Sequence, residues 1–136
     1  MAAEVVLIDH AQREVHTDVG NYAYDFLVGA MGCRSAPEET DGMARAMGHD
    51  GVHTFYTLEG ALAMREAIAG MREGRLVIDI CEMPIKCPVA PLEFAFLADY
   101  YFRERGIRDR VEISLVTPYT GAFTKPNANR ILSKVA

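Results

Sequence analysis

Leu76–Ile80 (LVIDI), Pro91–Arg105 (PLEFAFLADYYFRER) and Val111–Val116 (VEISLV) decide the fold. LVIDI is apolar at nearly every position, as expected of a strand buried on both faces. In the second segment Pro91 suits the first helical position, Gly106 suits the C-terminal cap, and Arg103 and Arg105 suit the last turn. Its first half is apolar almost all round, so the helix is expected to be sandwiched. VEISLV reads as a further strand ended by Thr117 and Pro118. Strand, helix, strand in this order predicts a parallel βαβ unit.

Upstream, Thr57 with Glu59 behind it reads as a helix start and Gly74 as its stop. Ala61, Met64, Ile68 and Met71 recur at spacings of three and four, with Glu59, Glu66 and Glu73 opposite, so this helix lies on a surface. Gly60 and Gly70 weaken it modestly. Near the N-terminus Val5–Ile8 and Val15–Thr17 read as two strands joined by a turn, and Tyr24–Ala30 (YDFLVGA) as a third. The stretch from Cys33 to Asp50 is rich in Gly, Pro, Glu and Asp and reads as a long loop, and Asn127–Lys134 as a short helix. The expected fold is therefore α/β, a partial Rossmann-like βαβ unit with a small β-rich N-terminal piece to about residue 50.

The chain has 136 residues, half of them hydrophobic, enough for a packed core. Fourteen Lys and Arg against 19 Asp and Glu give a net charge of -5, with no basic cluster, which argues against nucleic acid or an anionic membrane surface as a partner. No apolar run approaches the roughly 18 residues of a membrane span, and no signal-peptide pattern opens the chain, so a soluble, cytoplasmic chain is expected. Three cysteines, Cys33, Cys81 and Cys87, do not make a disulfide scaffold.

A dinucleotide-binding βαβ unit carries G-x-G-x-x-G after its first strand and an acidic residue at the end of its second. Here that turn is Cys81–Ala90 (CEMPIKCPVA), without glycine, and the second strand ends in Thr117. NAD or NADP binding is rejected on both counts. The turn does hold Cys87 beside Lys86, just before a helix start and at the carboxyl end of a parallel strand, where open α/β sheets place ligands. A thiolate is favoured in such surroundings, and the thiolate attacks sulfur or flavin. A buried, inert thiol is the competing reading of Cys87, and the preferred one for Cys81. The C-x5-C spacing matches neither a thioredoxin-like nor a zinc site, and His10, His16, His49 and His53 read as solvated loop residues, so no metal is expected.

Lys86–Phe96 (KCPVAPLEFAF), Arg105–Asp109 (RGIRD) and Val111–Pro118 together resemble the central part of the sulfide:quinone oxidoreductases, flavoproteins of the two-dinucleotide-domain disulfide reductase superfamily. Tyr24–Gly32 looks like the strand and A-T-G turn that closes their FAD domain, Tyr56–Ala67 like their linker helix, and Phe123–Pro126 like their later sequence. The resemblance implies residues 1–50 as the end of an FAD-domain-like β segment and loop, and residues 51–136 as a partial second dinucleotide-binding-like domain lacking G-x-G-x-x-G. It implies an internal fragment of an enzyme that oxidises sulfide to sulfane sulfur or polysulfide and passes electrons through FAD to a membrane quinone, the full-length protein being peripheral to the membrane. Cys87 then matches a redox cysteine, and Ala30, Met31 and Gly32 match the flavin-contacting turn, with Met31 in place of the threonine. Tyr56 stands where some subgroups carry an accessory cysteine. The isolated chain is expected to be inactive and not to retain FAD. The alternatives are a non-catalytic α/β fragment that oligomerises through strand edges, and a flavocytochrome-type sulfide dehydrogenase; a type II NADH dehydrogenase is disfavoured by the missing glycine turn.

Overall fold

The computed structural model describes residues 2–134. Two compact units divide between Cys33 and Arg34. The first is an antiparallel sheet of β1 (Val5–Asp9), β2 (Glu14–Thr17) and β3 (Gly20–Ala23), in that order. The first turn closes because the Asp9 carboxylate accepts the N–H groups of Ala11 and Gln12, both at 2.9 Å. In the second, the Thr17 hydroxyl donates to the Gly20 carbonyl at 2.7 Å.

The third strand is therefore Gly20–Ala23 and not Tyr24–Ala30. The β2–β3 ladder ends at Glu14 and Ala23, and no described strand pairs with residues 24–30. Without a partner strand an apolar run has nowhere to be buried, and Phe26 stays 93% exposed.

The second unit is α/β. It opens with a single 3-10 turn over Pro37–Glu39 and the short helix α1 (Met43–Ala46), inside the stretch expected to be loop. These segments cluster with the second unit, which begins at Arg34. Helix α2 (Leu58–Gly70) starts as expected, the Thr57 hydroxyl accepting the Gly60 N–H at 3.0 Å. It stops at Gly70, because Gly74, with φ +118, already begins β4 (Gly74–Asp79). Met64 is buried on its inner face, with Ala61, Ile68 and Met71 partly so, and Glu59, Glu66 and Glu73 point outward.

β4 pairs in parallel with β5 (Val111–Val116), from Gly74 beside Val111 to Asp79 beside Val116. Helix α3 (Ala90–Glu104) connects them, giving the βαβ unit. Its C-terminus is a Schellman closure: the Gly106 N–H reaches the Arg103 carbonyl at 2.9 Å and the Ile107 N–H the Phe102 carbonyl at 3.0 Å. Gly106 supplies the left-handed residue this needs, with φ +64. Ala98, Phe102, Ile107 and Val111 form the core, flanked by Ile68, Met71, Leu76 and Ile113.

Two expectations about this unit are corrected. β4 is buried on one face only: Ile78 and Ile80 point into the core, whereas Val77 is half exposed. α3 is not sandwiched, since Leu97 and Tyr100 are exposed while Leu92, Ala98 and Phe102 are buried. A two-stranded sheet with its helices on one side covers only one stripe of each element. The chain continues into α4 (Pro126–Leu132), where the Asn129 side chain accepts the Phe123 N–H at 3.2 Å. Among the described residues no helix is long and apolar enough to cross a membrane.

Candidate functional site

The parallel ladder extends one bond past β4, the Ile80 N–H reaching the Val116 carbonyl at 2.9 Å, and buried Ile80 anchors the chain there. From Cys81 the backbone leaves the sheet and stays largely exposed until Pro91 and Leu92 are buried at the start of α3. The Met83–Pro84 bond within this turn is cis. Both turn cysteines are free and exposed, so the packed thiol expected at Cys81 is corrected: its side chain follows the last core residue but lies outside the core.

The two thiols have different surroundings. Cys81 Sγ donates to Asp79 Oδ2 at 3.2 Å. Partial burial pushes the Cys81 thiol up from its ordinary value, and the Asp79 acceptor and its charge push the same way. Cys87 lies two residues before Val89, the N-cap of α3, with Lys86 preceding it. Its φ is +54, in the left-handed region that non-glycine residues seldom adopt. Pro88 follows, and a residue before proline is further biased toward extended backbone. The Cys87 carbonyl accepts two donors, the Ala90 N–H at 3.1 Å and the Tyr56 hydroxyl at 3.5 Å.

The start of α3 is nearly saturated from within. Its Ala90 N–H is taken by Cys87, the Leu92 and Glu93 N–H groups reach the Val89 carbonyl, and Pro91 has none. Tyr56 arrives from the segment just ahead of α2. Its ring lies 4.8 Å from Phe55, which in turn lies 5.1 Å from Phe94 on α3. These aromatic contacts tie the lead-in of α2 to the first turns of α3, and so to the Cys87 turn.

Ala30, Met31 and Gly32 belong to the first unit, whereas Cys87 belongs to the second. All three are exposed, and Gly32 has φ +70 with no atom within 4 Å of where a Cβ would stand. Cys33 is likewise free and exposed in that unit. Among the described residues no three His, Cys, Asp or Glu side chains converge as metal ligands. His16 Nε2 lies 3.3 Å from Glu14, and His53 Nδ1 is buried without a hydrogen-bond partner.

Two cavities in the second unit lie away from Cys87. One, of about 310 Å³, is an apolar groove bordered by Ile68, Phe94, Leu97 and Tyr101. The other, about 650 Å³ and wide open, lies at the amino ends of β4 and β5, by Gly74 and Arg108–Glu112. Sequence reasoning singled out neither Asp79 nor the Phe55–Phe94 contact. Asp79 was visible as the lone acid in LVIDI, and it is the last residue of β4, but the aromatic contact joins residues too far apart for any spacing to reveal.

No family model matches the chain. Curated proteins do match, two sulfide:quinone oxidoreductases among them. The mitochondrial sulfide:quinone oxidoreductase of Dictyostelium discoideum is 27% identical over 114 residues, covering 83% of this chain and 25% of that protein. The mitochondrial sulfide:quinone oxidoreductase of Mus musculus is 26% identical over 100 residues, covering 73% of this chain and 22% of that protein. The chain thus spans about a quarter of the length of the relatives it matches. With the K-C-P-V-A-P-L-E-F-A-F element set on the β4–α3 turn, these matches show a chain related in sequence to the sulfide:quinone oxidoreductases.

Proposed function

We propose that this chain supplies the thiol-bearing βαβ part of a flavin-dependent sulfide:quinone oxidoreductase, with Cys87 as the reacting thiol. The observation that carries the reading is the placement of Cys87: exposed, in a left-handed residue, at the carboxyl end of a parallel strand and just before α3. Relatedness to two proteins of that name adds the substrate class. In the net reaction sulfide loses two electrons and becomes sulfane sulfur, and the quinone gains two electrons and two protons and becomes a quinol.

The residues fit a flavin in their chemistry, each unit taken by itself: Cys87 is a free, exposed cysteine, a residue type that reacts with sulfur and flavin, and the open backbone at Gly32 admits close approach. Within the first unit, Ala30, Met31 and Gly32 would lie against it through their backbone. A flavin, when bound, supplies a two-electron acceptor. Cys87 offers the sulfur that holds the sulfane sulfur as a persulfide once the two electrons of sulfide have gone to the quinone, the net oxidant. Lys86, adjacent in the chain, supplies positive charge where an anionic sulfur species arrives.

The reading is tested in the flavin-loaded full-length protein. Cys87→Ser is expected to abolish most sulfide-dependent quinone reduction, and unchanged turnover refutes the assignment. An absorbance spectrum of the purified 136-residue chain measures whether it holds flavin on its own; the expected result is a colourless protein.

A further inference from the structure

We infer that Tyr56 is a positioning residue for Cys87: its hydroxyl, held by the aromatic contacts ahead of α2, fixes the carbonyl of Cys87 and with it the left-handed backbone that presents the thiol. The inference rests on Cys87 being the reacting thiol, and it adds a residue 31 positions away that acts only through the backbone.

Cys87 is in a conformation that its own chemistry opposes twice. A side chain beyond Cβ disfavours positive φ, and the following proline favours extended backbone. Such a residue persists only where its surroundings over-determine it. The donors on its carbonyl are the Ala90 N–H and the Tyr56 hydroxyl, at 3.1 and 3.5 Å. The first is local, closing the turn into α3. The second comes from a separate element, so it ties the turn's orientation to the rest of the unit.

Tyr56 is suited to the task because its ring is itself restrained. Phe55 stacks at 4.8 Å on one side of the link and meets Phe94 of α3 at 5.1 Å. Thr57, the next residue, caps α2 through the Gly60 N–H, which fixes where the backbone of Tyr56 leaves the helix. The hydroxyl therefore meets the Cys87 carbonyl from a rigid base. Its loss frees Cys87 to relax toward extended backbone, and the thiol leaves its place before α3 for part of the time.

The test is Tyr56→Phe in the full chain, which keeps the ring and removes only the hydroxyl. Iodoacetamide alkylation of Cys33, Cys81 and Cys87 is followed residue by residue by mass spectrometry across neutral to mildly alkaline pH. The expected result is alkylation of Cys87 slowed about fivefold, the equivalent of one hydrogen bond, with Cys33 and Cys81 unchanged. An unchanged Cys87 rate overturns the inference. So does a faster rate at Cys87 and Cys81 together, the signature of a unit that has merely loosened. Alkylation reads the presentation of the thiol whatever it reacts with, so a Tyr56 effect alongside a Cys87→Ser enzyme of normal turnover refutes the functional reading alone. An inert Tyr56→Phe with an inactive Cys87→Ser refutes the positioning role alone.

Discussion

The Cys81 thiol donates to the Asp79 carboxylate across 3.2 Å, at the carboxyl end of β4. Burial raises the thiol's proton affinity and the carboxylate adds to it, so at neutral pH Cys81 stays protonated and is a poor nucleophile. Asp79→Asn removes the charge and leaves the burial. The expected outcome is faster alkylation of Cys81, by about two- to fivefold at neutral pH, since each pKa unit changes the thiolate fraction about tenfold and only part of the shift is relieved. Mass-resolved alkylation of the two proteins checks it.

Asp99 on α3 sits between two guanidinium groups, accepting from Arg103 at 2.6 Å and from Arg108, whose other arm donates to the Val111 carbonyl at 2.7 Å. The hydrogen bond from Arg103 first, and that from Arg108 second, hold the Asp99 carboxyl below the usual aspartate range. A depressed carboxyl contributes stability that is complete above its unfolded value, about 3.9, and is lost as pH falls through the folded one. Asp99→Asn is expected to cost about 1 kcal/mol at neutral pH and little in strong acid, because the pair is partly solvated. Urea unfolding of both proteins at neutral and acidic pH measures the difference.

Much of this fold was legible because it is local. Thr57, Gly106 and the three-four spacing of Met64, Ile68 and Met71 act within a turn or two of themselves, and the structure has the caps and inner face they specify. What misled was burial. LVIDI, the first half of α3 and YDFLVGA are apolar on more faces than the described residues cover, so Val77, Leu97 and Phe26 stand in the open. Apolarity reports what a segment could bury; a two-stranded sheet with one helical layer has no second partner to offer. The site divides in the same way. Cys87 was visible from its neighbours, whereas Tyr56, opposite its carbonyl, required the folding of the segment ahead of α2 against α3 to be seen.

Gly60 and Gly70 both lie in α2, and helix propensity alone favours alanine at either by up to about 1 kcal/mol. Their surroundings reverse one of the two signs. A Cβ at Gly60 would stand 2.4 Å from the Thr54 carbonyl oxygen, a backbone atom that cannot swing away, whereas nothing lies within 4 Å of one at Gly70. Gly60→Ala is expected to destabilise the unit by about 1–3 kcal/mol through forced backbone shifts, and Gly70→Ala to stabilise it slightly. Thermal melts of the two variants should move in opposite directions.

Phe102 and Gly106 close the βαβ unit from its two sides, one by packing and one by backbone geometry. Phe102 is fully buried among Ala98, Ile107 and Val111, and its carbonyl receives the Ile107 N–H only because Gly106 takes a φ of +64. Phe102→Ala deletes a buried ring and leaves a cavity, at an expected cost of about 3–5 kcal/mol. Gly106→Ala keeps the core but puts a Cβ on a left-handed residue, at about 1 kcal/mol. Since a domain of this size is stable by only about 5–15 kcal/mol, Phe102→Ala should lose much of its urea midpoint, and Gly106→Ala a small part of it. A larger loss for Gly106→Ala than for Phe102→Ala would mean that the backbone closure after α3, more than the packing of its ring, holds the helix on the sheet.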